Sequence, residues 1–374
     1  MKVGIEAFAL GAKAGGMETY VRNLVRSLAT IDPEGDYTLL VRPLLSQDPP
    51  IAGAEHMRHI VVGSPNRFLR LPFAASLALL REQIDIVHVQ IAAPLLFGAR
   101  IVVTLHDISY ERYPQFFTPE IVQKLRVTVP LTLRRAAAVV TDAEFTRQDI
   151  VRRYCVPPEK VVVAPLAADP IFRPLHDTAR LAEVRARYGT GEHFILCVGT
   201  LEPRKNLKTV IEAYVRLRRA DATRHRLVLV GQQGWLYDDI FAAARASGYE
   251  EDLVFTGYVP DQDLVALFSA ADLFVYPSIF EGFGLPVVEA LACGTPVVTS
   301  NTSSLPEVVG DAALMVDPLD VEELARVTAT VLTDAGIRAW LSARGPQQAA
   351  TFSWERTARI VLRVYQDVLR PSRH

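Results

Sequence analysis

The sequence predicts an α/β protein with two Rossmann-like, doubly wound domains that face each other across a cleft. Short apolar strands alternate with amphipathic helices along most of the chain, which is typical of a parallel sheet with helices on both faces. The alternation pauses over residues 164–174, which contain three prolines and no clear period. The length of 374 residues suits two domains of ordinary size. Such domains bind ligands at the carboxyl ends of their strands.

The first half of the chain contains seven apolar stretches of strand length and two clear helical patterns. The predicted strands are Lys2–Ile5, Tyr37–Val41, His59–Val62, Ile86–Val89, Ile101–Leu105, Ala138–Thr141 and Val161–Val163. The predicted helices are Met17–Ala29 and Ile121–Arg135. Pro130 is expected to kink or break the second helix, because proline lacks the N–H that a helix interior uses.

After the proline-rich linker the same alternation restarts. The predicted strands are Phe194–Val198, Arg226–Val230, Leu253–Phe255, Leu273–Tyr276, Val297–Thr299 and Leu314–Val316. The predicted helices are Leu181–Tyr188, Asn206–Arg219, Asp261–Ala270, Pro286–Cys293, Asp320–Thr333 and Trp354–Leu369. We therefore expect domains at residues 1–168 and 175–352, followed by a terminal helical segment at 353–374.

Composition narrows the function classes. Half of the residues are hydrophobic, 22% are charged and the net charge is -2, which indicates a globular protein and disfavours a nucleic-acid partner. The longest apolar run, Leu71–Leu80, is roughly half the ~20 residues that a membrane span needs. The three cysteines lie far apart without a CxxC or metal-ligand spacing, and we expect no signal peptide because Met1 leads directly into the first predicted strand. These features predict reduced thiols and a cytoplasmic location.

The most informative segment is residues 276–298, in which a strand leads through a glycine-containing loop into a helix. Gly282 and Gly284 let the backbone approach a ligand closely, and the start of a helix offers N–H groups to an anion. Glu281 and Glu289 could accept hydrogen bonds from sugar hydroxyls. Alternatively, Glu281 caps the helix and Glu289 faces solvent. Glu289, however, lies in an otherwise apolar helix, where a carboxylate needs a partner.

This segment resembles the signature of the family-4 retaining glycosyltransferases, which have the GT-B fold. The resemblance rests on the E-x7-E spacing from Glu281 to Glu289 and extends through residues 294–298 and 301–313. It implies that Glu281 faces the donor sugar and that Glu289 binds the ribose. It also implies that the backbone N–H groups of Phe283, Gly284 and Leu285 meet the donor phosphate or sugar, and that residues 353–374 cross back to the first domain.

Two adjacent cations, Arg204 and Lys205, follow the first strand of the second domain. They can neutralise a diphosphate leaving group, Arg204 in a bidentate manner and Lys205 as a compact charge, although a solvated basic turn would look the same. The run Gly-Thr-Leu-Glu-Pro-Arg-Lys-Asn at 199–206 resembles the polysaccharide and O-antigen mannosyltransferase branch, where this position binds the pyrophosphate. Many members carry Arg where this chain has Thr200, which leaves open whether Arg204 replaces it.

Further candidates come from both halves of the chain. The pair Gly15-Gly16 joins the first strand to the first helix, and the resemblance implies that it covers the donor phosphates. His106 follows a strand, and the resemblance implies that it contacts the transferred sugar, as a positioning group and not as a general base. Gly231 lies at the end of one predicted strand and Val259 just beyond another, beside the expected pocket for the nucleotide base. We predict that their backbone recognises the base, although the sequence signal for this is nonspecific.

Together these features predict a retaining glycosyltransferase that moves a hexose from a nucleotide-sugar to a hydroxyl of a glycan or glycolipid. GDP-mannose is favoured slightly over a UDP- or dTDP-sugar, and no cofactor and no metal are expected. Asp261-Gln-Asp263 has the form of a metal motif, but it opens a helix, and capping explains it better. Two alternatives stay open: a hydrolysing nucleotide-sugar epimerase, and a non-catalytic nucleotide-sugar-binding partner subunit. The acceptor, the oligomeric state and transient contact with the inner face of a membrane are also left open.

Overall fold

The computed structural model describes residues 1–12, 15–42, 51–63, 75–93 and 100–370 of the chain. The chain divides into two compact units. The first comprises Met1–Glu111, Pro119–Leu166 and Ser353–His374, and the second comprises Arg112–Thr118 and Ala167–Phe352. The short segment Arg112–Thr118 thus belongs with the second unit although it lies in the first half of the sequence.

The first unit contains a sheet of seven parallel strands in the order β3-β2-β1-β4-β5-β6-β7. The strands are β1 (Lys2–Glu6), β2 (Asp36–Val41), β3 (Arg58–Val61), β4 (Ile86–Gln90), β5 (Arg100–Thr104), β6 (Ala136–Thr141) and β7 (Val161–Val163). The helices are α1 (Gly16–Ile31), α2 (Ser76–Arg81), α3 (Ser109–Arg112), α4 (Pro119–Arg135), α5 (Glu144–Tyr154) and, from the end of the chain, α14 (Trp354–Leu369). A 3₁₀ turn, Pro158–Lys160, precedes β7.

Helix α4 corrects one part of the prediction for Pro130, because the proline does not break the helix. A kink at Pro130 stays a prediction. The helix runs without interruption from Pro119 to Arg135 with Pro130 in its interior. A proline at such a position costs about 3 kcal/mol or more. Val129, Thr132 and Leu133 are buried on either side of it, and this packing offsets the cost because tertiary burial supplies most of a helix's stability.

The second unit contains a sheet of six parallel strands in the order β10-β9-β8-β11-β12-β13. The strands are β8 (Phe194–Val198), β9 (Arg226–Val230), β10 (Leu253–Gly257), β11 (Leu273–Tyr276), β12 (Val297–Ser300) and β13 (Leu314–Val316). The helices are α6 (Thr178–Tyr188), α7 (Leu207–Arg219), α8 (Asp238–Ala246), α9 (Asp261–Ala270), α10 (Leu285–Ala292), α11 (Leu305–Val309), α12 (Val321–Thr333) and α13 (Ala335–Ala349). Further 3₁₀ turns lie at Pro114–Phe116, Pro203–Lys205 and Glu250–Asp252.

Both sheets are doubly wound, as the alternation of strands and helices predicts. Each has a point at which the strand order reverses, between β1 and β4 in the first sheet and between β8 and β11 in the second. Strands β4, β11 and β12 are buried along their whole length, which explains why most of their residues are apolar. Loops that leave the carboxyl ends of strands at a reversal point diverge and leave room for a ligand.

Three smaller features bear on the predictions. Asp263 does not cap α9; it pairs instead with Arg180 and Arg187 and accepts a hydrogen bond from the Tyr188 hydroxyl at 2.7 Å. All three cysteines are unpaired. Residues 71–74 of the apolar run lie outside the described residues. Among the described residues, no helix combines the length and the apolar character that a membrane span requires.

Candidate active site

The site of the second unit forms where β8 and β11 end side by side. The loop after β8 runs through the 3₁₀ turn Pro203–Lys205 into α7, and the loop after β11 runs through residues 277–284 into α10. Because these strands are parallel neighbours, their loops leave the same edge of the sheet. The Ile279 amide donates to the carbonyl of Arg204 at 3.0 Å, and the Ser278 hydroxyl lies 3.1 Å from the same carbonyl oxygen. The two loops are therefore bonded into one structure.

Glu281 brings the two predicted cations together. One carboxylate oxygen lies 2.7 Å from Lys205 Nζ, and the other lies 2.9 Å from Arg204 Nη1. Arg204 also pairs through Nη2 with Glu202 at 2.6 Å. The three residues that the sequence singled out thus meet directly, although their ion pairs were not predicted.

Two neutral side chains that sequence reasoning missed complete this cluster. The Tyr276 hydroxyl accepts from Lys205 Nζ at 2.6 Å and donates to Glu281 at 2.9 Å, while Ser278 donates to the same carboxylate oxygen at 2.5 Å. Lys205 uses two of its three N–H groups in this way. Within the described part of the chain the third has no acceptor, so it remains able to bind a ligand oxygen.

Burial and charge act against each other in this cluster. Glu281 is only 6% exposed. Burial opposes its ionisation, but the charges of Arg204 and Lys205 outweigh burial and lower the pKa of Glu281 to about 2. Burial also lowers the pKa of Lys205, and the charge of Glu281 opposes that shift. The carboxylate therefore holds two cations in place in a site largely removed from solvent, where their electrostatic effect is stronger than in water.

Asn206 and the nearby glycines explain why the backbone folds this way. Asn206 has φ 58°, a left-handed conformation that starts α7, and its side-chain amide donates to the carbonyls of Pro277 and Pro318 at 3.1 and 2.6 Å. At Gly231, a Cβ atom would lie 1.9 Å from the carbonyl oxygen of Gly199. Any side chain there would push the ends of β8 and β9 apart.

The loop before α10 carries the predicted anion-binding groups. Gly284 has φ 95° and a Cβ there would lie 2.6 Å from Leu305, so only glycine fits. In the portion of the chain that the structure describes, the N–H groups of Phe283, Gly284 and Leu285 donate no hydrogen bond. They are therefore available to a ligand at the start of the helix. Their contact with the donor stays a prediction.

Glu289 lies on α10 in different surroundings. It is 8% exposed, and within the described residues its carboxylate has no hydrogen-bond partner. Burial and the nearby charges of Asp261 and Asp169 raise the pKa of Glu289 to about 8. The apolar helix predicts a partner for this carboxylate, but the charged neighbours that shift its pKa are acidic. A ligand hydroxyl would provide the missing partner, and its identification as the ribose stays a prediction.

The two weak candidates for base recognition lie near the ends of β9 and β10. The Gly231 amide donates to the carbonyl of Gly257 at 2.9 Å, and Val259 is buried just beyond β10. The close packing of Gly231 against Gly199 accounts for this glycine without any ligand. Recognition of the base by these residues stays a prediction.

In the first unit, the predicted Gly-Gly pair forms the start of α1. Gly15 has φ 57° and ψ -131°, a combination that favours glycine, and a Cβ at this position would meet nothing within 4 Å. Gly16 is the first residue of the helix. An exposed backbone at a helix start suits the approach of an anion, and the proposed contact with donor phosphates is untested.

His106 lies at the carboxyl edge of the first sheet beside groups that sequence reasoning missed. Its Nδ1 is 2.7 Å from a carboxylate oxygen of Asp142, and its Nε2 is 3.4 Å from the side-chain oxygen of Gln90. Burial lowers the pKa of His106, but Asp142 outweighs burial and raises it overall. Glu6 ends β1, and its carboxyl group accepts a hydrogen bond from the backbone N–H of Gln90 at 2.9 Å. Burial raises the pKa of Glu6 to about 7. Asp142 follows the strand next to the His106 strand, and this adjacency is the signal that could have identified it.

We expect Asp142→Asn to lower the pKa of His106, because the carboxylate stabilises the charged imidazole. A titration of His106 by NMR, with the exposed His176 as an internal reference, measures this shift directly. An unchanged His106 titration would contradict the assigned role of Asp142.

Comparison with known proteins agrees with this architecture. The model of the "Glycosyltransferase Family 4" domain matches residues 14–171, and that of "Glycosyl transferases group 1" matches residues 183–348. The O-antigen chain mannosyltransferase B of Escherichia coli is 37% identical over 267 residues, which cover 71% of this chain and 70% of that protein. The chain belongs to the family-4 glycosyltransferases.

Other proteins similar to this glycosyltransferase differ in how much of each chain the similarity covers. The serotype-specific mannosyltransferase WbdA of Escherichia coli is 34% identical over 241 residues, covering 64% of this chain but only 30% of that longer protein. The sucrose-phosphate synthase of Thermosynechococcus elongatus superimposes with a TM-score of 0.79 at 22% identity, over 98% of this chain and 99% of the other. The latter similarity supports the GT-B fold and nothing finer.

Proposed function

We propose that this family-4 glycosyltransferase transfers a hexosyl group, with retention of anomeric configuration, from a nucleotide-sugar to a hydroxyl of a glycan or glycolipid. The observation that carries the proposal is the cluster in which Glu281 holds Arg204 and Lys205 at the ends of β8 and β11. A buried, oriented pair of cations suits a reaction in which negative charge develops on a leaving diphosphate.

The donor would bind through its diphosphate and its ribose. In this proposal the third N–H of Lys205 and the amides of Phe283, Gly284 and Leu285 bind diphosphate oxygens, while Glu289 binds ribose hydroxyls. Gly15 and Gly16 add backbone contacts at the phosphates, and Gly231 and Val259 line the base. The residues supply positioning and charge, which are the main terms in transfer from a phosphate leaving group.

In the proposed reaction the bond between the anomeric carbon and the diphosphate oxygen breaks, and the electron pair stays on the diphosphate. The acceptor oxygen bonds to the same carbon on the same face. Its proton passes to the departing phosphate oxygen, so that no protein base is required. Lys205 and Arg204 stabilise the leaving group, and His106, oriented by Asp142, positions the transferred sugar. No cofactor or metal is part of this proposal.

The donor that we propose is GDP-mannose. It is supported by the Gly-Thr-Leu-Glu-Pro-Arg-Lys-Asn run at 199–206 and by the similarity to an O-antigen chain mannosyltransferase. A UDP- or dTDP-sugar is the alternative. An acceptor carried on a lipid would bring the protein transiently to the inner face of a membrane.

A donor panel tests this proposal. We expect GDP-mannose to raise the melting temperature more than UDP-, dTDP- or ADP-sugars do, by a few degrees at 100 times its dissociation constant, with or without EDTA. With a mannan-type oligosaccharide as acceptor, the product should keep the α-anomeric configuration by NMR. Nucleotide release without any acceptor would instead indicate a hydrolysing epimerase. Donor binding without any consumption would indicate a non-catalytic subunit, and no binding of any nucleotide-sugar would overturn the proposal.

A further inference from the structure

A second cluster of polar residues lies at the opposite edge of the second sheet. His193, His225 and Asp272 are the residues that immediately precede β8, β9 and β11, which are adjacent strands. The strand ladder fixes their backbones, since the Arg226 amide donates to the His193 carbonyl and the Asp272 amide donates to the Phe194 carbonyl, both at 3.1 Å. The cluster is therefore at the amino ends of the strands, whereas the transfer site is at their carboxyl ends.

The three side chains have the spacing of metal ligands. Oδ2 of Asp272 is 3.2 Å from His193 Nδ1 and 3.4 Å from His225 Nε2, and the three atoms all lie within 4.8 Å of one another. Ligands bound tetrahedrally to Zn²⁺ at its usual bond lengths are about 3.3 Å apart. Small rotations of the histidine rings would therefore place all three atoms around one ion.

Thr223 fixes the orientation of His225. Its hydroxyl is 2.8 Å from His225 Nδ1, which leaves Nε2 directed at Asp272. A hydrogen bond on the second ring nitrogen is the usual device that orients a metal-binding histidine.

The surroundings leave room for an ion and for a further ligand. His193 and His225 line a cavity of about 460 Å³ that also includes Thr223. Two arginines lie on the same cavity, but Arg224 pairs with Asp221 at 2.5 Å and Arg226 donates to the carbonyl of Gly189 at 2.7 Å. The Asp221 carboxylate balances the charge of Arg224, whereas Arg226 is bonded to a neutral carbonyl and keeps its positive charge.

We propose that His193, His225 and Asp272 form a binding site for a divalent transition-metal ion, Zn²⁺ in the first place, with water as the fourth ligand. Two neutral imidazoles, one carboxylate and an open position suit Zn²⁺ and its substitutes Co²⁺ and Ni²⁺. The ion would join the amino ends of three strands and stabilise the second unit. The site takes no part in the proposed transfer reaction, and its existence does not depend on that reaction.

Metal titration of the full-length, untagged protein tests the site. A Cys155→Ser background removes the exposed thiol, which could bind Zn²⁺ by itself. After treatment with EDTA and its removal, we expect one equivalent of Zn²⁺ by equilibrium dialysis and elemental analysis. At 100 times its dissociation constant the ion should raise the melting temperature by about 5 °C. Co²⁺ should give the visible absorption of a four-coordinate ion.

Three variants decide whether these residues are the ligands. His193 is 63% exposed as a side chain, so His193→Ala should fold normally and weaken Zn²⁺ binding at least about tenfold. Thr223→Val, which touches no metal, should weaken it about tenfold by releasing His225. The matched control is His176→Ala, an exposed histidine elsewhere in the unit, which should bind like the parent. Absence of a bound equivalent, or equal binding by His193→Ala and the parent, would overturn the proposal.

Discussion

Lys205→Ala should lower the turnover number by a factor of about 30 to 1,000, which corresponds to about 2–4 kcal/mol of lost transition-state stabilisation. In the described structure Lys205 is held by Glu281 and Tyr276 and keeps one N–H for a ligand. Negative charge grows on the diphosphate as the glycosidic bond breaks. The missing ammonium should therefore reduce kcat more than it raises the KM for the donor.

The fold should survive this substitution. Glu281 keeps Arg204 as a partner at 2.9 Å, together with the hydroxyls of Tyr276 and Ser278, so that no buried carboxylate is left unpaired. Lys208→Ala is the matched control, because Lys208 is exposed on the following helix and carries the same charge. Steady-state kinetics with melting curves for both variants provide the measurement. If Lys205→Ala and Lys208→Ala turn over equally fast, Lys205 does not stabilise the leaving group.

The sequence predicted the strands and most helices because their signals are local. Short apolar runs separated by amphipathic stretches are compatible with few structures other than alternating strands and helices. The strands at Phe194–Val198, Arg226–Val230 and Leu273–Tyr276 have the predicted bounds. Arg204, Lys205 and Glu281 could be predicted because they follow strands that end at one edge of a parallel sheet. Their direct ion pairs depend on side-chain geometry, which no spacing in the sequence specifies.

What the sequence did not predict depends on contacts between distant residues. Asp142 orients His106 from 36 positions away, and its role becomes visible only when the strands that precede the two residues are known to be neighbours. The cluster of His193 and Asp272 spans 79 positions and becomes visible only when β8 and β11 are adjacent. Pro130 shows the converse, because a strong local signal was overridden by the burial of the residues beside it.

Glu289→Gln should make the protein more stable in alkaline solution. The pKa of Glu289 rises from 4.5 to about 8 in the folded chain. The folded protein therefore keeps a proton that the unfolded chain loses between these pH values, and the stability of the parent falls as pH rises through this window. Glutamine cannot ionise, so the variant lacks this loss of stability. Above pH 4.5 its free energy of unfolding should rise relative to that of the parent by about 1.4 kcal/mol per pH unit, or about 5 kcal/mol by pH 8.

Denaturant unfolding of parent and variant at pH 5, 6.5 and 8 measures this difference. Glu212→Gln, an exposed residue on α7, is the control and should leave the pH dependence unchanged. If the stabilities of the parent and of Glu289→Gln changed in parallel with pH, Glu289 would not have the raised pKa that its burial and acidic neighbours imply.

Donor affinity should move in the opposite direction from stability. Glu289 has acidic neighbours and no hydrogen-bond partner among the described residues, which makes it a poor choice for stability alone. If its carboxyl group binds the ribose, Glu289→Gln should raise the dissociation constant of the donor about 2- to 10-fold, the effect of losing one hydrogen bond of a neutral carboxyl group. A variant that is more stable yet binds the donor equally well would show that Glu289 does not contact it. Loss of affinity together with the gain in stability is the result expected of a residue retained for binding, because a buried polar group without a partner is costly unless a ligand uses it.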